Sequence, residues 1–164
     1  MPKLIKNAAI IDNDWITLDK DFEGELESKK GPTLVPLQYF LANADALKGN
    51  EGLGVWLDSD EGPEPLRPYL SQLKVVAINF PKFADGRGYS YAHILRGRLN
   101  FSGEIRAIGD VLHDQLFYLK RCGFDAFAIR DDTDAEVALS GFKDFSDCYQ
   151  TSIEQPTPLF RRKA

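Results

Sequence analysis

Apolar residues fall into short runs separated by polar punctuation along this 164-residue chain. Leu4-Ile5-Lys6 and Ala9-Ile10-Ile11 flank a turn at Asn7, and Trp15-Ile16-Thr17-Leu18 follows the turn-forming run Asp12-Asn13-Asp14. Such runs predict short strands or a small N-terminal β hairpin. Residues 19–32 carry Asp19, Lys20, Asp21, Glu23, Glu25, Glu27, Lys29 and Lys30 and end at Gly31-Pro32, the composition of a connecting segment. A rhythm begins at Leu34. Leu34-Val35 reads as a strand stopped by Pro36, and Leu37 to Leu47 has helical spacing at Leu37, Phe40, Leu41 and Ala44. Gly54-Val55-Trp56-Leu57 is the next strand, closed by Asp58-Ser59-Asp60. Glu64 to Leu73 then reads as a short or irregular helix, because Pro65 suits a first turn and Pro68 does not suit an interior.

The second half is plainer. Val75-Val76-Ala77-Ile78 is a continuous apolar run, as expected of a strand buried on both faces. Ser90 to Leu99 reads as a helix, Ile105-Arg106-Ala107-Ile108 as a strand, and Val111 to Arg121 as a helix with Leu112, Leu116 and Leu119 aligned. Gly123 stands where a left-handed C-terminal residue belongs. Ala126-Phe127-Ala128-Ile129 is the last strand. Thr133-Asp134-Ala135-Glu136 has the form of a capping box, opening a helix whose expected core face is Ala138, Phe142, Phe145 and Tyr149.

Strands alternating with helices imply consecutive βα units and a mainly parallel sheet. The spacing leaves two closures open, an incomplete (βα) barrel-like sheet and an open, doubly wound one. One α/β domain over residues 1–164 is expected, with N-terminal strands and connector over 1–32, βα units over 33–150 and a tail over 151–164. In either closure ligands belong at the carboxyl ends of the strands.

Composition narrows the function. The net charge is -5 and the pI about 5.1, against a nucleic-acid surface. The one basic run is Arg161-Arg162-Lys163. The start is too polar for a signal h-region, and no stretch approaches the roughly 20 apolar residues of a membrane helix, so a cytoplasmic location without membrane partners is expected. Cys122 and Cys148 both fall in helical patterns and are too few for a disulfide scaffold or metal knuckle. His93 and His113 lie in helical patterns without metal-ligand spacing, so no metal site is expected.

The carboxyl ends are chemically uneven. Ile78 is followed by a long loop to Asp85-Gly86-Arg87-Gly88-Tyr89-Ser90, Ile108 by Gly109-Asp110, and Ile129 by Arg130-Asp131-Asp132. Candidate ligand-binding residues are therefore Asp85, Gly86, Arg87, Gly88, Ser90, Arg106, Gly109, Asp110 and Arg130. Two glycines around an arginine before a helix could present N–H groups to an anion; the same residues also make a tight turn with Asp85 pairing locally. A dinucleotide fingerprint is not met, because Tyr91 stands at the third glycine and the loop is long. Asp110 could cap a helix starting at Val111. Arg106, inside an apolar strand and on the side where alternation also puts Asp110, needs a carboxylate or a ligand anion.

At Phe80 to Ser90, Gly103 to Leu116 and Arg121-Cys122-Gly123-Phe124-Asp125 the chain resembles a family of uncharacterised bacterial proteins labelled as oxidoreductases involved in sulfite reduction. The likeness covers nearly the whole chain, and its signature residues coincide with Asp85, Gly86, Arg87, Gly88, Arg106, Gly109, Asp110, Asp114 and Gln115. His113 departs from the arginine common there. The resemblance implies a role in assimilatory sulfur metabolism beside sulfite reductase. Sulfite reductase uses sirohaem and an iron–sulfur cluster, which takes about four cysteines, and this chain has two. Neither group is expected within it. The first reading is an accessory protein binding a small oxyanion, sulfite reductase, or both. The alternative is an NAD(P)- or flavin-dependent oxidoreductase, and a third is an interaction module with purely structural rim charges. Exposed apolar sheet edges would favour a homo-oligomer.

Overall fold

The computed structural model describes residues 3–26, 31–130 and 132–162; residues 27–30 of the connector, Asp131 and Lys163 lie outside the described residues. β1 (Lys3–Lys6) and β2 (Ala9–Asp12) form the expected antiparallel hairpin. Its two turn residues, Asn7 and Ala8, both take positive φ (52° and 56°), matching the twist of the flanking strands. The remaining strands are β3 (Ile16–Thr17), β4 (Thr33–Pro36), β5 (Leu53–Leu57), β6 (Val75–Phe80), β7 (Glu104–Gly109) and β8 (Ala126–Phe127). The helices are α1 (Leu37–Asn43), α2 (Arg87–Gly97), α3 (Leu116–Cys122), α4 (Ala135–Ser140) and α5 (Leu159–Arg162), with 3-10 turns at Glu64–Gln72, His113–Gln115 and Gly141–Lys143.

All eight strands join one sheet in the order β2-β1-β8-β7-β6-β5-β4-β3, and β3 to β8 are parallel neighbours in sequence order. A doubly wound sheet would reverse direction part way; this one never does. It is instead a curled half-barrel. Chain length demands the curl. Flat, the edge strands β2 and β3 would lie about 34 Å apart, yet residues 13–15 join them, a span of at most about 15 Å.

Alternation along each strand separates two faces. The outer face carries Val35, Val55, Leu57, Val76, Ile78, Phe80, Ile105, Ala107 and Phe127, which pack under Phe40, Leu66, Leu95, Leu116, Leu119 and Ala138 from the helical layer. The inner face holds a smaller cluster of Leu34, Trp56, Val75 and Ala77, covered by Trp15. Gly54 permits that cover: a Cβ there would stand 3.0 Å from the Trp15 ring and 2.7 Å from Leu34.

Several local expectations change. Pro36 is the last residue of β4 rather than a stop before it, and Leu37 starts α1 directly. α2 begins at Arg87, three residues before Ser90. The expected Val111–Arg121 helix is a 3-10 turn followed by α3, its entry fixed by Gln115, whose Oε1 accepts from Leu112 N. Asp110 therefore caps nothing there. Asp134, not Thr133, caps α4 by accepting from Glu136 N. α4 ends at Ser140 and a 3-10 turn breaks the helical period, so Phe145 and Tyr149 are 62% and 77% exposed instead of in the core. Cys148 is outside any helix, and both cysteines are free and half-buried. Gly123 ends α3 with φ 110°, as expected. The Glu64–Gln72 segment is irregular around Pro68, also as expected. Among the described residues no helix is long and apolar enough to cross a membrane.

Candidate functional site

The carboxyl ends of β3, β5, β6, β7 and β8 supply a charged rim in two linked clusters. In the first, Asp58 follows β5. Its Oδ2 accepts from Lys20 Nζ at 2.6 Å, and its Oδ1 from Asn79 Nδ2 at 3.1 Å and Ser59 N at 2.8 Å. Burial raises the Asp58 pKa, but the bonds from Lys20, Asn79 and Ser59 outweigh it and hold the carboxyl below its ordinary value. Lys20 also reaches Asp60 at 3.5 Å.

Arg87, the first residue of α2, grips Asp85 with two bonds, Nε to Oδ1 at 3.0 Å and Nη2 to Oδ2 at 2.7 Å. Asp85 Oδ1 also accepts from Arg87 N. Nη2 reaches Ser59 Oγ at 2.9 Å, and Tyr91 Oη donates to Ser59 O at 2.8 Å. The guanidinium beside Asp85 holds that carboxyl well below the usual range, and Asp85 in turn raises Arg87. The flanking glycines do separate jobs. Gly88 is buried against the sheet, where a Cβ would stand 2.8 Å from Phe80 and 2.9 Å from Ile78. Gly86 takes φ -88° with room for a side chain. Gly88 thus serves helix–sheet packing, and the space its missing side chain leaves is filled by Phe80 and Ile78, not by a ligand cradle.

The second cluster centres on Asp110. Gly109 takes φ 91° with Asn79 Oδ1 and Phe80 O closing on it, so a side chain has no place there. The turn aims Asp110 across the rim, where Oδ2 accepts from Phe83 N at 2.9 Å and Oδ1 from Arg130 Nη1 at 3.1 Å. Arg130 is forked onto Asp132 at 3.0 and 2.6 Å. Asp132 raises the Arg130 pKa, helped by Asp110, and Arg130 lowers that of Asp132. Gln115, buried, donates from Nε2 to Tyr89 Oη at 3.1 Å and ties this cluster to α2.

The rim thus gathers Asp85, Arg87, Gly109, Asp110 and Arg130. Ser90 is exposed on α2, and Gly86 and Gly88 serve the backbone. Arg106 is elsewhere. The positive φ of Gly109 breaks the alternation that put Arg106 and Asp110 on one side, and Arg106 is buried on the inner face with Glu104 and Asn13. Sequence reasoning missed Lys20, Asp58, Ser59 and Tyr91 as rim partners. Asp58-Ser59 directly ends a strand run and could have been found; Lys20 sits in a charged connector without a pattern.

The cations of the two clusters are engaged, while Lys82, in the loop after β6, is exposed and makes no ion pair with a described residue. Lys20, Arg87 and Arg130 face Asp58, Asp60, Asp85, Asp110 and Asp132, so the rim is acidic and self-paired. Among the described residues no group of three or more His, Cys, Asp or Glu could hold a metal ion. Burial pushes the Cys122 thiol up, away from a reactive thiolate.

Beside the second cluster the surface turns aromatic. Tyr118, 56% exposed, meets Tyr89 at a tilt of 53° with ring centroids 5.2 Å apart, and Phe117 meets Phe145 at the same tilt and 5.1 Å. Tyr118, Phe145 and Tyr149 line an open groove of about 440 Å³, bordered by Asp114, Asp144 and Asp147 with Arg121 among them. Gln115 Nε2 also points to Phe83 O at 3.5 Å, so groove and rim adjoin.

Fold and site together define an α/β half-barrel with a self-paired charged rim at the carboxyl ends of its parallel strands. The chain belongs to the family described as "Bacterial protein of unknown function (DUF934)", whose model matches residues 54–160. The matched span includes every rim residue named above except Lys20. No curated protein matches the chain.

Proposed function

We propose that this chain is an accessory protein of assimilatory sulfite reduction that works by docking sulfite reductase. The pathway rests on the resemblance at Phe80 to Ser90, Gly103 to Leu116 and Arg121 to Asp125. The docking reading is carried by the aromatic groove. Tyr118, Phe145 and Tyr149 leave large apolar surface in water, next to Asp114, Asp144 and Asp147. Exposed apolar patches rimmed by polar groups are where proteins associate, and aromatic anchors supply much of the energy of interfaces. The acidic border suits a partner face carrying Lys or Arg around apolar residues.

The small-oxyanion reading at the rim is less well supported, because the Arg87 guanidinium is 55% exposed and the Asp85 carboxylate already neutralises it. A flavin or nicotinamide oxidoreductase remains the rival activity, and the absorption spectrum of the protein purified from its native host reads it directly. The docking reading is tested by titrating sulfite reductase calorimetrically with the wild-type chain and with Tyr118→Ser and Phe145→Ser. Both side chains are exposed, so the fold should tolerate either change. The expected result is binding by wild type and a loss of about tenfold or more in each variant. Absence of binding, or equal affinity in both variants, contradicts it. Light scattering of the chain alone reads the competing occupant, a second copy.

A further inference from the structure

A second cavity, of about 440 Å³, opens on the inner face of the half-barrel near the amino ends of the strands, away from rim and groove. Its walls include Leu4, Val75 and Trp15, together with the buried Glu104 and Arg106 and the partly exposed Lys6. One buried carboxylate there serves two cations. Glu104 Oε1 accepts from Arg106 Nε at 2.7 Å, and Oε2 lies 2.6 Å from Lys6 Nζ. These three groups together carry one positive charge in excess, borne at the partly exposed Lys6.

The other acids of the lining face it only from the solvent-exposed mouth, where Asp14 makes no ion pair with a described residue. Asp12 and Asp14 are exposed at the mouth, and Asp12 pairs with Lys3. Lys74, also at the mouth, pairs with Glu51. Arg106 is only 2% exposed and fixed in orientation: Nη1 donates to Asn13 Oδ1 at 3.0 Å, and the guanidinium lies 5.3 Å from the Trp15 ring centroid. No described residue accepts from Nη2. A guanidinium held by three neighbours with one amino group free is prepared for an anion.

We propose that this cavity binds a small monoanion, a carboxylate or an oxyanion, between Arg106 Nη2 and Lys6 Nζ. Leu4, Val75 and Trp15 cover its apolar part. Trp15 gives the site its own reporter, since Trp56, the other tryptophan, is buried and donates from Nε1 to Leu18 O.

The test is a titration of the full chain at constant ionic strength with sodium acetate and, separately, sodium sulfite, read by tryptophan emission and calorimetry. The expected result is saturable binding of at least one anion, with the tighter one naming the class. Lys6→Gln and Arg106→Lys should each weaken it about tenfold or more, because one loses a charge and the other the fork. Lys6 is partly exposed, so Lys6→Gln keeps the test decisive should Arg106→Lys fail to fold. No saturable response to either anion, or wild-type affinity in Lys6→Gln, overturns the proposal.

Discussion

Asp58 shows how one residue organises the rim. Its carboxylate joins Lys20 after β3, Asn79 on β6 and the backbone that carries Ser59 toward Arg87. Because its folded pKa is held below the ordinary value, its contribution to stability is complete above about pH 4 and drains away as pH falls below that range. Asp58→Asn should therefore lower stability at neutral pH by about 1 kcal/mol, the size of a net hydrogen bond to a half-exposed pair. It should also flatten the acid limb of a denaturation series run from pH 7 to pH 3. A limb as steep as wild type would remove Asp58 from this role. Lys20 was invisible to sequence reasoning because its partner lies 38 residues away and nothing local marks it. Arg106 was legible as a residue needing a partner, but Glu104 and Asn13 answered that need on the opposite side from the rim.

At the scale of elements, the hairpin exposes a correctable strain. Ala8 takes φ 56° in a turn that suits glycine, and a left-handed residue with a Cβ costs about 1–2 kcal/mol. Set against the extra chain entropy of glycine, Ala8→Gly should gain about 0.5–1 kcal/mol, or roughly 2–4 °C in Tm per kcal/mol for a domain of this size. Differential scanning calorimetry reads this; a lower Tm would contradict the turn geometry. Strands and hairpin were readable because doubly buried strands such as Val75–Phe80 write continuous apolar runs. Helix starts were less so. Gly86 and Leu112 occupy cap positions with no capping side chain of their own, and the 3-10 turn at Gly141–Lys143 turns an apparent core face at Phe145 and Tyr149 outward.

For the whole molecule, strand order settles what spacing left open. Sequential neighbours from β3 to β8 place the packed helical core on the outer face and leave an inner face covered by Trp15. That arrangement separates three regions: a self-paired rim at the carboxyl ends, an aromatic groove beside it, and an inner cavity near the amino ends. Partner docking is proposed at the groove. Hydrogen–deuterium exchange of the chain with and without sulfite reductase tests this most directly. Protection on complex formation is expected at residues 114–121 and 144–150, with residues 3–15 of the inner cavity unchanged. Protection confined to other surfaces, or none at a concentration that saturates binding, would contradict it.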